Sequence, residues 1–276
     1  LWGLRREKYT YLENNDASIT KWQRLKPVAP YYFFAPKDFA LQAQYEKFWK
    51  VTEIFKEWGS GIITRRDTLT VAFQENELKN RILMFTNLKL PDSTVAETYK
   101  IGDTGEWILS EARKGVAKEK HDDLVNRYCY RPWDSRYIYY SDSVVSRTCR
   151  RWMKYLLREN IALITTRVIT DIEEKGAFVS SQMGDIHVIS GQSYFFPLYL
   201  YLVEPVGAIH ELPLQREISK ARRIPNFTLE FLVAIRESLA SEPAPEEIFY
   251  YIYAVLYSPI YRKRYEEFLR IDFPRV

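Results

Sequence analysis

The sequence predicts an α+β fold, with a mixed central β-sheet region followed by a helical C-terminal segment. Short runs of β-type composition recur between residues 69 and 202, separated by polar or glycine-containing turns. The end of the chain reads with helical spacing instead, each segment opened by a plausible cap or a first-turn proline. Strands grouped ahead of helices, with no internal repeat, match an α+β domain rather than alternating βα units.

In chain order, the first 25 residues are polar and helical in part, with Asp16-Ala17-Ser18 as a turn or cap. Pro27, Pro30 and Pro36 bracket Tyr31-Tyr32-Phe33-Phe34, which reads as a short strand. Residues 44–57 carry Tyr45, Phe48, Trp49, Ile54 and Phe55 at a spacing closer to helical than alternating. Gly59-Ser60-Gly61 then breaks the chain. Strands are expected at 69–73, 137–140, 161–166, 176–179, 186–189 and 195–202, and a proline-containing loop at 204–226. Helices are expected at 228–239, 245–257 and 259–269. The predicted organisation is a linker or helical segment at 1–58, a β-rich core at 59–226 and a helical segment at 227–276 packing on it.

The bulk numbers exclude little. A chain of 276 residues, 46% hydrophobic and 28% charged, is ordinary for a soluble globular protein. Aromatics are high at 16%, with 21 tyrosines, which suits either a core or a half-wet binding surface. The net charge of +4 neither requires nor excludes nucleic acid, because a small average hides local patches. Cys129 and Cys149 make neither a disulfide framework nor a CxxC zinc pair, which fits a reducing cytoplasm. No apolar run approaches the roughly 18 residues that span a membrane, and there is no signal-peptide pattern. The chain opens Leu1-Trp2-Gly3 rather than with Met, so a piece of something longer is expected.

Several chemistries lack their motifs. There is no GxxxxGK[ST] phosphate loop, no GxGxxG opening a helix and no GxSxG elbow. His121, His187 and His210 are isolated, none spaced with a second metal ligand. Asp171, Glu173 and Lys175, with Glu174 beside them, have the spacing of a magnesium-dependent nuclease. A charged turn between strands is the plainer reading of the same residues.

Residues 144–158 carry the clearest positive signal. Placed on a helix at about 100° per residue, Val145, Cys149, Trp152 and Leu156 form one stripe. Arg147, Arg150, Arg151, Lys154 and Arg158 fall opposite, with no acidic residue between Asp142 and Glu159. Solvated faces usually mix signs, so an all-positive face gains most from an external anion such as a phosphate backbone. An ordinary solvated face is the alternative. Arg65-Arg66-Asp67 follows the glycine turn. In Arg131-Pro132-Trp133-Asp134-Ser135-Arg136, Asp134 is placed to fix one arginine while the other points outward. Arginine grips guanine or phosphate through its fork, while pairing to nearby carboxylates is the structural alternative.

Longer segments carry a family resemblance. They are Trp2-Gly3-Leu4-Arg5-Arg6-Glu7-Lys8-Tyr9, Pro30-Tyr31-Tyr32-Phe33-Phe34 and Ser60-Gly61-Ile62-Ile63-Thr64-Arg65-Arg66-Asp67. To these add Tyr130-Arg131-Pro132-Trp133-Asp134-Ser135-Arg136-Tyr137, Thr165-Thr166-Arg167, and the long run from Pro245 through Tyr261-Arg262 to Asp272-Phe273-Pro274-Arg275. Together they resemble the C-terminal specificity region of single-chain type ISP and related type IIG restriction–modification enzymes. The run from Pro245 to Arg275 is the most specific, and the likeness covers nearly the whole chain.

The resemblance implies a target recognition domain that reads duplex DNA for an N6-adenine methyltransferase domain of the same polypeptide. That domain would bind S-adenosylmethionine and flip an adenine out of the stack. Its Asn/Asp-Pro-Pro-Tyr/Phe motif and glycine-rich cofactor motif are absent here, so no catalytic centre is expected in this chain. Trp133 stands where the family more often has Phe, which preserves an aromatic plug. The expected footprint is Arg65, Arg66, Arg131, Arg136, Arg147, Arg150, Arg151, Lys154, Arg158 and Arg167. The segment from about 167 to 223 matches least, and Gln182, Gln192, Arg216 and Lys220 are its candidate base readers by chemistry. A docking role is the third reading: Phe249, Tyr253, Val255 and Leu256 inward, with Tyr250 or Tyr257 toward a partner domain.

Overall fold

The computed structural model describes residues 4–27, 29, 32–34, 36–169, 176–189, 191–202 and 222–276. The chain divides into two units, Leu1–Ala40 and Leu41–Val276. In the first, the Arg5–Asn14 helix buries no residue. The turn expected at 16–18 forms: the Asp16 carboxylate accepts the Ser18 backbone N–H at 2.7 Å. The strand expected at 31–34 does not form at 32–34, where Tyr32 takes a φ of +48°, incompatible with an extended chain.

The second unit is α+β, as the sequence predicts. Its strands are β1 (Gly59–Ser60), β2 (Val71–Ala72), β3 (Val125–Arg131), β4 (Asp134–Tyr139), β5 (Ala162–Thr166), β6 (Ala177–Ser180), β7 (Met183–Gly184), β8 (Ser193–Pro197), β9 (Tyr199–Leu202) and β10 (Arg222–Pro225). One sheet runs β1-β8-β5-β6, a second runs β2-β4-β3-β7, and β9 pairs with β10. Only the β3–β7 pairing among these is parallel. β5 is the central strand and every one of its residues is buried, which explains its unbroken apolar and threonine sequence.

Local chemistry displaces several expected elements. Residues 67–70 form a helical turn rather than strand, with the Leu69 and Thr70 N–H groups and the Thr70 hydroxyl all donating to the Arg66 carbonyl. Residues 186–189 are a turn, because the Asp185 carboxylate accepts the His187 N–H at 2.8 Å in an Asx geometry. The run at 195–202 splits at Leu198. Pro197 has no N–H to continue the ladder, and the chain passes from the β5 neighbourhood to pair with β10. Residues 42–57 give only two helical turns, Gln42–Tyr45 and Val51–Ile54. Helices follow at Leu229–Leu239 and Pro245–Tyr257, while the last expected helix divides into Pro259–Arg264 and Glu266–Leu269. No described helix is long and apolar enough to cross a membrane.

Among the described residues, two hydrophobic clusters support the β3–β4 hairpin and the helices that precede it. One joins the faces of the two larger sheets through Ile62, Tyr128, Ile138, Ile164 and Phe195. The other packs helices Glu75–Thr86, Asp92–Tyr99 and Leu109–Val116 against β2 and β4 through Leu78, Ile82, Phe85, Val95 and Tyr139. This helical layer is absent from the sequence reading, although Leu78, Ile82 and Phe85 stand at i, i+4 and i+7. Arg113, 2% exposed, ties it together. Its Nε, Nη1 and Nη2 donate to the carbonyls of Phe85, Leu90 and Asn87 at 2.8, 2.9 and 2.6 Å, and Nη1 also pairs with Asp92.

The glycines at 59 and 61 serve close approach rather than a chain break. A Cβ on Gly59 would meet the Trp152 ring at 2.3 Å, and one on Gly61 the Asp185 carbonyl oxygen at 2.4 Å. Because the second obstacle is backbone, Gly61→Ala is expected to cost about 1–3 kcal/mol of unfolding free energy. A lowered urea midpoint at unchanged slope checks this.

Candidate nucleic-acid interface

The β3–β4 hairpin positions the densest group of candidate side chains. Arg131 pairs with Asp134 across the end of the ladder, leaving Pro132 and Trp133 as its turn. Proline presets the first φ, and Trp133 takes the second at +63°, the left-handed value a type II turn requires. The resulting tip is open, with Trp133 90% exposed. The aromatic plug expected at this position is therefore a surface feature, touching Phe178 edge-on at 5.4 Å between ring centres.

Behind the tip, two guanidiniums are held in fixed poses. Arg136 donates from Nε and Nη2 to the Asp134 carboxylate at 3.0 and 2.7 Å, the pairing anticipated for one arginine of this motif. The other is fixed as well: Arg131 Nη1 donates to Asp185 at 2.9 Å. Both pack on the Tyr130 ring, at 4.1 Å for Arg131 and 3.8 Å for Arg136. The Tyr130 hydroxyl donates to Asp67 at 2.9 Å. Asp185 is buried and also accepts the Tyr128 hydroxyl at 2.8 Å. Burial and that carboxylate push the Tyr128 hydroxyl well above the ordinary phenol range, so it stays a donor. A cleft of about 580 Å³ opens beside the tip, walled by Trp133, Phe178, Ile189, Tyr253 and Tyr257, with Arg131 among its lining residues.

Arg65 and Arg147 are brought together from distant sequence. Ile63 and Arg147 exchange backbone hydrogen bonds at 3.0 and 2.9 Å, and the Ser146 N–H donates to the Thr64 carbonyl at 3.3 Å. Both arginines are exposed, and among the described residues neither has a carboxylate partner. Arg66 points the other way. At 8% exposed, it donates to the Val144 carbonyl and stacks 3.7 Å above Trp107, which removes it from the expected footprint.

The basic helix expected at 144–158 is not one helix. Cys149 turns left-handed at φ +53°, and only Arg150–Met153 is α-helical before a 3-10 turn at Lys154–Leu157. Val145 and Leu156 are buried and Trp152 is half-buried, so the apolar stripe is real although its helix is not. Its positive charges are mostly answered within the fold. Arg150 pairs with Asp142 and Arg151 with Glu57, each through a contact outside the local helix register. Arg158 stacks over Tyr201, and Lys154 is exposed beside Tyr155.

The other candidates scatter. Arg167 pairs with Asp272, Gln182 accepts the Ser135 hydroxyl at 2.7 Å, and Gln192 is exposed. Arg216 and Lys220 lie outside the described residues, as do His210 and the 171–175 group. The described histidines contact backbone: His121 meets the Val116 carbonyl and His187 the Gly191 carbonyl. Among the described residues no cluster of three or more His, Cys, Asp or Glu is placed to hold a metal. Burial pushes the Cys129 thiol up to about 11 and raises Cys149 too, so both stay protonated rather than nucleophilic. The arrangement is equipped to bind. Sequence reasoning missed the carboxylates that fix its arginines, Asp185, Asp142 and Glu57, since these pairs are not neighbours in sequence.

A family model described as the type ISP C-terminal specificity domain matches residues 53–276. No curated protein sequence matches the chain. Among solved structures, it is similar to a cryo-EM structure of a DrdV–DNA complex, at 20% identity and a TM-score of 0.71 over 98% of this chain and 27% of that one. It is also similar to a nuclease-deletion mutant of the type ISP restriction–modification enzyme LlaGI with a DNA substrate mimic, at 20% identity and a TM-score of 0.63 over 99% of this chain and 25% of that one. The ATP-dependent type ISP restriction–modification enzyme LlaBIII bound to DNA matches at 17% identity and a TM-score of 0.60, over 85% of this chain and 16% of that one. These likenesses establish a shared fold. The chain spans about a quarter or less of each of these proteins.

Proposed function

Since the chain belongs to the type ISP C-terminal specificity domain family, we propose that it recognises a short sequence of double-stranded DNA on behalf of a larger restriction–modification enzyme. Adenine methylation, with S-adenosylmethionine, and cleavage would be carried out by other domains of the same polypeptide in the cytoplasm. The observation that carries this reading is the β3–β4 hairpin, which presents oriented guanidiniums and an exposed indole. Fixed forks and flat faces suit base edges, and the exposed cations Arg65, Arg147 and Lys154 suit phosphates. Arg150, Arg151, Arg158 and Arg167, and Gln182 and Gln192, remain candidates for secondary contacts.

Selection of bound duplexes from a random library by the full chain tests the reading. Enrichment of one short motif is expected, and binding without enrichment would overturn it. Neutralising Arg65, Arg147 and Lys154 together is expected to lower the slope of log K against log salt by about 2–3, at roughly 0.9 per phosphate contact, leaving the selected motif unchanged. A slope equal to wild type takes these residues out of the interface.

The nuclease alternative gains no support from a specificity-domain match. The docking reading is compatible with DNA recognition. Phe249 and Leu256 are buried and Tyr253 and Val255 half-buried, while Tyr250 and Tyr251 are 58% and 66% exposed. That outward tyrosine face is available to a neighbouring domain.

A further inference from the structure

Trp133 stands where neither conformation nor burial calls for a tryptophan. Its φ of +63° favours glycine, and its side chain is 90% exposed. It does supply one flat wall of the cleft beside the hairpin. Further aromatic walls come from Phe178 and the Tyr253–Tyr257 pair, whose ring centres are 5.5 Å apart, and Val188 and Ile189 add apolar lining. At about 580 Å³ the space is ample for one nucleobase. Arg131 adds the polar element. Its Nη1 is committed to Asp185, while its Nε and Nη2 have no acceptor among the described residues.

A phosphate clamp would keep its cations unmatched. Here Arg131 and Arg136 are each answered by a carboxylate, so what the tip offers is a π-face and oriented N–H donors. That is the chemistry of a base. We propose that the cleft receives a single nucleobase unstacked from the duplex, with the Trp133 indole stacked on it and Arg131 Nε and Nη2 donating to its edge. The proposal rests on duplex recognition as read above. Stacking on an aromatic side chain tolerates any base, and extrusion is easiest where the base has lost its partner.

The test is a titration of the full chain with the duplex selected from the random library, and with versions carrying a mismatch at each position in turn. A mismatch at one position is expected to tighten binding about tenfold, because unstacking is then partly prepaid. Trp133→Phe should keep most of that gain and Trp133→Gly should lose it. Thermal unfolding of the glycine variant should occur no lower than in wild type, since glycine suits the left-handed turn. Equal or weaker affinity for every mismatched duplex overturns the proposal, as does a gain that survives in Trp133→Gly; in both cases duplex recognition itself stands. If the chain binds none of the duplexes, that reading fails and this one with it.

Discussion

Replacing Arg113 with methionine is expected to lower the unfolding free energy by about 3–5 kcal/mol, through the buried carbonyls that lose their donor. Three backbone carbonyls, from Phe85, Asn87 and Leu90, accept from this one guanidinium. Phe85 lies in the last turn of the Glu75–Thr86 helix, and Asn87 and Leu90 in the loop that links that helix to Asp92. Methionine fills the volume of the stem but removes the guanidinium from the Phe85 and Leu90 carbonyls, while Asn87 keeps the Leu90 N–H at 3.0 Å. Each hydrogen bond to a charged group contributes about 1.5–3 kcal/mol. Asp92 adds little to the loss, because its side chain is 47% exposed and water takes over. Arg113→Lys should recover less than half, since an ammonium cannot reproduce the fork that reaches three carbonyls in different directions. Urea unfolding of both variants reads the outcome; a methionine variant within about 1 kcal/mol of wild type would show that the layer does not depend on this contact.

Asp185→Asn is expected to weaken duplex binding about tenfold and to cost about 1–3 kcal/mol of stability. The wild-type carboxylate accepts from three donors at once: the Tyr128 hydroxyl, Arg131 Nη1 and the His187 N–H. An amide of the same shape has one oxygen left, and the charge that holds Arg131 over Tyr130 is gone. Arg131 then loses its preset orientation, so a base contact must be made at a greater entropic cost. The two effects separate by experiment. Unfolding measures the packing loss, and a titration at a temperature where both proteins are folded measures the binding loss. Wild-type affinity in a destabilised Asp185→Asn variant would place Arg131 outside the interface.

Both predictions concern residues whose importance is invisible along the chain. Arg113 sits before Lys114 and reads as one more surface cation. Its burial follows only from the loop of carbonyls that closes over it. Asp185 lies 54 residues from Arg131. Arg151 shows the same thing from the other side: its partner Glu57 is 94 residues away, so a helix that looks uniformly positive is substantially neutralised once folded. Local charge patterning counts only partners within a few residues, and an external anion is then credited with attraction that the fold has already used.

What the sequence determined by itself was the fold class, a strand at 161–166, the C-terminal helix at 245–257 and the compact Arg131–Arg136 motif. These depend on short-range rules: a continuous apolar strand, a proline at the first helical position, and a carboxylate two residues from its arginine. The tertiary structure decided which cations remain exposed, why Gly59 and Gly61 are glycines, and that Trp133 faces solvent rather than the core. Each of these is a question of what lies within a few ångströms through space. Contacts between β1, the 146–152 segment and the 185 turn join residues far apart in sequence, and no local pattern encodes that proximity.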